Sequence, residues 1–360
     1  MSDFFQIDFL DVETRQSGDA ITMRYEVDGQ RLVHIVDGGF DAMSQRMIDH
    51  ILAHYGNQRI DHVVVTHPDR DHACGLRDLV ERCNVGALWM LRPWIYAGAL
   101  LPHFPNYASA ERLASRLKGL YPYAADLERI ALGKGIPIME PFQGARIGAF
   151  TVLAPSRARY LQCVLRSEKT PETASTDGLG SGLLAGIAQL GKTVAKFARG
   201  AWGHEVFSSE ETSAENEMSV VQAAVIAGKS IVLTGDAGRE GLGEAADSAW
   251  LAGIVLPGID YFQVPHHGSR RNVSTGLLDR WLGARLPQRP AEGAERFIAL
   301  CSSAKADPDH PRKAVERAFV HRGARFITTE DGDVVVHWNA PQREGWGPLP
   351  LRPYPEDYEG

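Results

Sequence analysis

A chain of 360 residues with 44% hydrophobic and 23% charged side chains is long enough to bury a large core, which excludes wholesale disorder. Its net charge of -7 excludes a broad basic face for gripping nucleic acid, though not a phosphate-bearing substrate met at a site rich in bound cations. There is no uninterrupted apolar run of about eighteen residues and no basic-then-apolar leader pattern in MSDFFQIDFLDVE, and the four cysteines (Cys74, Cys83, Cys163, Cys301) are scattered. Neither a membrane span, a secretory signal nor a disulfide framework is expected, and the cytoplasm is the expected location.

In chain order, IDFLDV and ITMRYEV read as strands separated by the turn-rich QSGD, and RLVHIVDGG as a third strand ending in two glycines. AMSQRMIDHILAHYG places Met43, Met47, Ile51 and Leu52 at helical spacing, with Gly56 as its stop. IDHVVVTH is short, apolar and β-branched, the pattern of a strand covered on both faces; PDRDHACG follows it and GLRDLVERCN begins a helix. SVVQAAVIAGKSIVLTGDAG gives two strands joined near Gly228, and IDYFQVPHHGS and RFIALCSS give one each. HPRKAVERAFVHRGARF reads as a helix and ITTEDGDVVVHW as a hairpin around Asp331 and Gly332. Strands alternate with helices in both halves, an α/β pattern in which polar side chains gather at strand ends.

Two stretches interrupt the alternation. Residues 93–135 hold an amphipathic helical pair, SAERLASRLKGLYPYAADLERIAL, and residues 156–215 are rich in Ser, Thr and Gly with one helical run near GLLAGIAQLGKTVAKFA. Both read as insertions, serving either as a rim over the site or as packing. One domain over 1–338 is expected, followed by a Pro/Gly-rich tail over 339–360 running extended on the surface.

The chemistry concentrates in three places. His67, Asp69, Asp71 and His72 fall within six residues directly after an apolar strand, and such crowding is costly without a cation. Mixed His and Asp donors suit Zn²⁺ or Mn²⁺. Asp236, in VLTGDAG, ends a strand between glycines, where a carboxylate can bridge two ions. His266 and His267, in VPHHGSRRN, point different ways, so one can ligate while the other faces substrate, and Arg270 beside them suits a phosphate oxygen. Asp37 is expected to orient a ligand from behind, and His310 to be a ligand or a proton donor to a leaving group.

The order strand-Asp-Gly-Gly, H-x-D-x-D-H-x-x-G, T-G-D and P-H-H-G-S resembles the metallo-β-lactamase superfamily. It is similar, more narrowly, to the soluble hydrolase domain of ComEC-type DNA-uptake proteins. FLDVETRQSGDAI, ENEMSVVQ and HPRKAVERAFVHRGARFITTEDGDVVV extend that likeness over about residues 7–338. The resemblance implies a four-layer αββα sandwich with two divalent ions, Zn or Mn, at one edge. It implies His67, Asp69, Asp71, His72, Asp236 and one of the two histidines as ligands, with His267 preferred and His266 left as a catalytic group. Asp69 stands where the superfamily more often has histidine, and Asn216 falls roughly where another histidine is usual, which makes Asn216 a candidate for substrate binding.

The expected chemistry is hydrolysis by a water activated between the two ions, whose pKa falls from about 15.7 toward ~7. Asp71 or a neighbouring carboxylate would steer the water, and His266, His267 or His310 would protonate the leaving oxygen. The expected substrate is a phosphodiester, plausibly nucleic acid. A small lactone, lactam or thioester is the alternative, and a non-catalytic binding module the third reading. Homo-oligomer formation is left open, and no membrane partner is expected.

Overall fold

The structure, a computed structural model, describes residues 2–12, 14–56, 59–171, 197–349 and 352–359. Two seven-stranded sheets stack face to face. In chain order the strands are β1 (Phe4–Phe9), β2 (Ala20–Val27), β3 (Gln30–Gly38), β4 (Arg59–Val64), β5 (Asn84–Trp89), β6 (Ile138–Met139), β7 (Arg146–Ile147) and β8 (Phe150–Ala154). Then follow β9 (Phe197–Arg199), β10 (Val221–Ile226), β11 (Lys229–Leu233), β12 (Tyr261–Gln263), β13 (Phe297–Cys301), β14 (Ala324–Thr328), β15 (Val334–Trp338) and β16 (Asp357–Glu359). The first sheet runs β15-β1-β2-β3-β4-β5-β6 and the second β14-β13-β12-β11-β10-β8-β7.

Strand alternation explains the layers. Phe5, Ile7 and Phe9 of β1, and Ile21, Met23 and Tyr25 of β2, meet Ile231 and Leu233 of β11 and Leu300 of β13 in the core between the sheets. Residues one step out of phase point the other way. Val33 and Ile35 join the helix Met43–Tyr55 in a second core, while Val232, Ala299 and Phe326 pack with the helices Arg239–Asp247, Thr275–Leu282 and Lys313–His321 in a third. The result is the expected four-layer αββα sandwich.

Parallel pairing of β3 with β4 and β5, and of β11 with β12 and β13, points several strand C-terminal ends to one edge. There the loops carrying the candidate residues meet. Gly75 permits the approach of the loop after β4: a Cβ there would lie 1.9 Å from the Gly38 carbonyl oxygen. Gly235 does the same for the loop after β11, with φ of +49° and a would-be Cβ 2.9 Å from Thr66.

Some expectations are revised. The helical pair is present as Ala110–Leu120 and Pro122–Lys134, and Leu113, Leu117 and Leu127 share the core of the helix Met43–Tyr55. The pair therefore belongs to the outer layer, and its turn and the start of the helix Pro122–Lys134 lie against the loop after β4. The run over 182–198 lies outside the described residues, apart from Phe197 and Ala198, which stand in β9. The helix near the end stops at His321, and Ala324–Thr328 is a strand. Nor is there a hairpin around Asp331: β14 pairs with β13 in one sheet and β15 with β1 in the other. The turn therefore crosses between layers, because each strand finds its hydrogen bonds at a different sheet edge. The tail is mostly exposed up to residue 348, but then Tyr354 packs on the third core and β16 pairs with β9. Its aromatic side chains anchor what composition alone reads as loose. No helix among the described residues is long and apolar enough to cross a membrane.

Candidate metal centre

His67, Asp71, His72, Asp236, His266 and His267 converge from the loops after β4, β11 and β12. The Nε2 of His72 lies 3.3 Å from Asp236 Oδ1 and 3.7 Å from Asp71 Oδ2. The Nε2 of His267 lies 3.7 Å from Asp71 Oδ2 and from Asp236 Oδ1, and that of His67 is 3.8 Å from Asp236 Oδ2. All but Asp71 and His266 are buried.

The other ring nitrogens decide what this arrangement means. His72 Nδ1 is 2.8 Å from Asp37 Oδ2, and His267 Nδ1 is 3.0 Å from the carbonyl oxygen of Ser302. Both acceptors lack a proton, so each Nδ1 must donate. His67 Nδ1 lies 3.0 Å from Thr66 Oγ1, whose own proton goes to Asp37 Oδ2 at 2.6 Å, so it donates too. With Nδ1 spent as a donor, each Nε2 is left to face carboxylate oxygens, as a ligand to a metal ion or as an N–H when a proton takes the ion's place. The Nε2 atoms of His67, His72 and His267 and Asp236 Oδ1 are all buried without a hydrogen-bond partner.

Lone pairs facing carboxylates repel unless positive charge lies among them. Donors about 2.0–2.2 Å from a common ion stand roughly 3.4 Å apart, close to the spacings seen here. Asp71, His72, Asp236 and His267 form one group with converging ligand atoms, and Asp19, Asp37 and His72 form another. The donor set therefore fits a divalent cation, with donor types suited to Zn or Mn.

The electrostatics agree. Burial alone would depress His72, but Asp236, Asp71 and Asp37 push it well above its ordinary value. Burial likewise opposes protonation of His267, yet the carboxylates of Asp236 and Asp71 carry it up to about 9. Burial would raise Asp236 and Asp71, but His72 heads the imidazoles that hold both below the usual carboxylate range. This field attracts positive charge, whether as protons or as a metal ion.

Backbone strain accompanies the cluster. His266 and His267 are both left-handed, at φ of 49° and 54°, and Asp37 at 57°. Such conformations cost on the order of 1–3 kcal/mol each and persist where surrounding contacts over-determine them. They aim consecutive side chains apart: His267 enters the cluster, while His266 Nδ1 bonds Asn272 Oδ1 at 2.9 Å. Asn272 Nδ2 is held by the Asp236 carbonyl oxygen at 2.8 Å, which fixes the amide and makes His266 Nδ1 the donor. Its Nε2 lone pair then lies 3.5 Å from Asp236 Oδ2, and burial lowers its pKa.

The remaining expected residues divide. Asp37 bonds Thr66 N at 2.8 Å as well as His72, and so stands behind the ligands. Asn216 sits against His266, with its Nδ2 3.1 Å from Nδ1. His310 is at the rim, its ring centroid 5.5 Å from that of His266 and its Nδ1 3.2 Å from Asp307 Oδ2. Arg270 is half-buried just past the doublet. Asp69 departs from expectation: its carboxylate turns out of the cluster to pair with Lys169 Nζ at 2.6 Å. A cation a hundred residues away in sequence captured it.

Asp19 was not singled out from the sequence. It is buried, its Oδ2 accepts from Gln263 Nε2 at 2.9 Å, and it lies 3.8 Å from His72 Nδ1. Gln263 Oε1 meanwhile accepts from the backbone N–H groups of Thr234 and Gly235. One amide thus links Asp19 to the loop that carries Asp236. The only signal in the sequence was the Gly-Asp pair, which is common in turns.

This sandwich, with its donors at the strand ends, is the metallo-β-lactamase fold. Residues 25–118, which include Asp37 and the run from His67 to His72, match the family described as the metallo-beta-lactamase superfamily. Solved structures similar to the chain include hydrolase AbOPH in the beta lactamase superfamily, at 12% identity over 66% of this chain and 74% of that one, with a TM-score of 0.31. A beta-lactamase domain protein from Burkholderia ambifaria is 25% identical over 41% of this chain and 44% of that one, with a TM-score of 0.24. A diphosphatase from the PhnP family is 12% identical over 93% of this chain and 98% of that one, with a TM-score of 0.34. No curated protein matches the chain.

Proposed function

We propose that this chain is a metal-dependent hydrolase of phosphodiester bonds, with nucleic acids or nucleotide diesters as its substrate class. One observation supports the metal requirement: the buried Nε2 atoms of His67, His72 and His267 converge on Asp71 and Asp236 at 3.3–3.8 Å without a hydrogen-bond partner. His67, Asp71, His72, Asp236 and His267 would hold two divalent ions, Zn or Mn, with Asp19, from the loop before β2, as a further carboxylate. Divalent ions bound there supply a lowered water pKa and polarise the oxygen under attack.

The chain's own residues do the rest. Asp37, Thr66 and Ser302 hold the imidazole rings, so the ligands are preorganised. Asp71, half-exposed at the cluster's mouth, orients the attacking water. His310, kept in place by Asp307, protonates the leaving oxygen. The Asp307 carboxyl is itself fixed by Ser17, at 3.0 Å from its backbone N and 2.8 Å from Oγ. A diester needs such a donor because its alkoxide leaves poorly unprotonated. His266 and Arg270 would meet phosphoryl oxygens. The ordered motifs shared with the ComEC-type hydrolase domain also favour a phosphodiester over a carbonyl substrate.

Metal analysis coupled to a substrate panel tests this. Purified protein is expected to hold Zn or Mn and to cleave bis-p-nitrophenyl phosphate and single-stranded DNA or RNA. A lactam or lactone cleaved instead would move the assignment to carbonyl hydrolysis. Absence of turnover with every divalent metal would remove the enzyme reading.

A further inference from the structure

Beside Asp71 lies a cleft of about 310 Å³. Its walls are Pro68, Tyr121, Pro122 and Tyr123, and its rim carries Arg70 and Lys169. The walls come from two places: the loop after β4, and the turn between the helices Ala110–Leu120 and Pro122–Lys134. The Tyr121 ring is buried and its hydroxyl is engaged by Glu215 at 3.2 Å, whereas Tyr123 is half-buried. Lys169 also lines a second cleft of about 610 Å³, lined by Arg166, Thr212 and Arg271 among others. It is thus the residue at which both openings meet, and its 2.6 Å bond to Asp69 ties it to the metal loop.

We infer that the smaller cleft is the subsite for a nucleobase, and that the substrate is a nucleotide diester rather than an aliphatic one; this rests on the phosphodiesterase reading above. Three observations converge on it. The cleft is at the lower end of ligand-pocket volumes, roughly 300–1,000 Å³, which suits one ring system. Its walls are rings of proline and tyrosine, which accept a flat π-face without reading its edge. Arg70 borders it on a chain whose net charge is -7, next to the cluster where a phosphate would react. The Asp69 carboxylate on the same wall is offset by Lys169, so it does not repel the anion.

Equilibrium binding to the metal-loaded protein tests this without requiring turnover. Thymidine 5′-monophosphate is titrated beside methyl phosphate, which lacks the base. Tyr123→Ala should weaken the nucleotide by about tenfold and leave methyl phosphate unchanged, with Tyr123→Phe keeping wild-type affinity for both. Lys169→Met should weaken both ligands and flatten the salt dependence. Equal nucleotide affinity in wild type and Tyr123→Ala overturns the subsite, and so does a parallel loss for methyl phosphate, which would mark a structural role. Retained nucleotide binding with no cleavage of bis-p-nitrophenyl phosphate would sink the phosphodiesterase reading alone.

Discussion

Two buried clusters in this molecule contain histidine and carboxylate, and they are built on opposite principles. Around Arg322, every charge is answered by the protein. Glu205 accepts from Arg322 and from Thr275 Oγ1 at 2.6 Å, while Arg322 Nη2 also reaches Asp279 Oδ1 at 2.6 Å. His321 Nε2 meets the hydroxyl of Tyr354 at 3.0 Å. At the sheet edge the protein supplies no such closure: Asp71 and Asp236 face imidazole Nε2 atoms at 3.3–3.8 Å, beyond hydrogen-bond reach except at the closest pair. A closed network holds the fold together. An open one requires something from outside, and only the open one sits at strand ends in a mouth of half-exposed residues.

The contrast can be broken by substitution. Asp236→Ala should abolish hydrolysis and strip metal from the protein, read by elemental analysis and a phosphodiester assay. Full activity in that variant would leave the edge cluster without a role. Arg322→Met should do the reverse, costing about 3–5 kcal/mol of stability because a buried carboxylate loses its partner, with metal content unchanged. Urea unfolding measures it, and a cost near zero would mean that the Arg322 network is not the closed system described.

Smaller effects sharpen the boundary between the clusters. Asp37→Asn keeps the shape but removes an acceptor from behind His72, and metal affinity should fall roughly 10–100-fold. Competition with a chromogenic chelator reads this, and unchanged affinity would make Asp37 a purely structural bond to Thr66. The smallest effect is in acid. Burial would raise Glu205, but hydrogen bonds from His321, Arg322 and Thr275 bring it from 4.5 to about 2. Because the folded value is depressed, its contribution is complete above about pH 4.5 and is lost as pH falls through about 2. Acid unfolding of Arg322→Met should lack that slope; an unaltered profile contradicts the assignment.

The sequence-predicted residues that the fold brings together share a property. His67, Asp71, His72, Asp236 and His267 all lie in short polar runs directly after apolar strands, so their convergence follows from the parallel sheet order once the strands are recognised. Asp69 shows the limit of that reading. Spacing within a loop does not say which way a side chain turns, and Lys169 settled it from a distant segment. Asp19 shows the complementary limit, since its relevance comes from a Gln263 amide that joins two sheets. The misread hairpin has the same origin: β14 and β15 are adjacent in sequence but pair in different sheets.

By itself the sequence determined the elements, their alternation and the donor types, because these follow from local periodicity and from the chemistry of each side chain. Only the tertiary structure decided which donors face one another, which nitrogen of each imidazole is spent on a protein acceptor, and which loops wall the clefts. Those are relations between segments far apart along the chain, and hydrogen-bond direction and burial do not exist until the sheets have stacked.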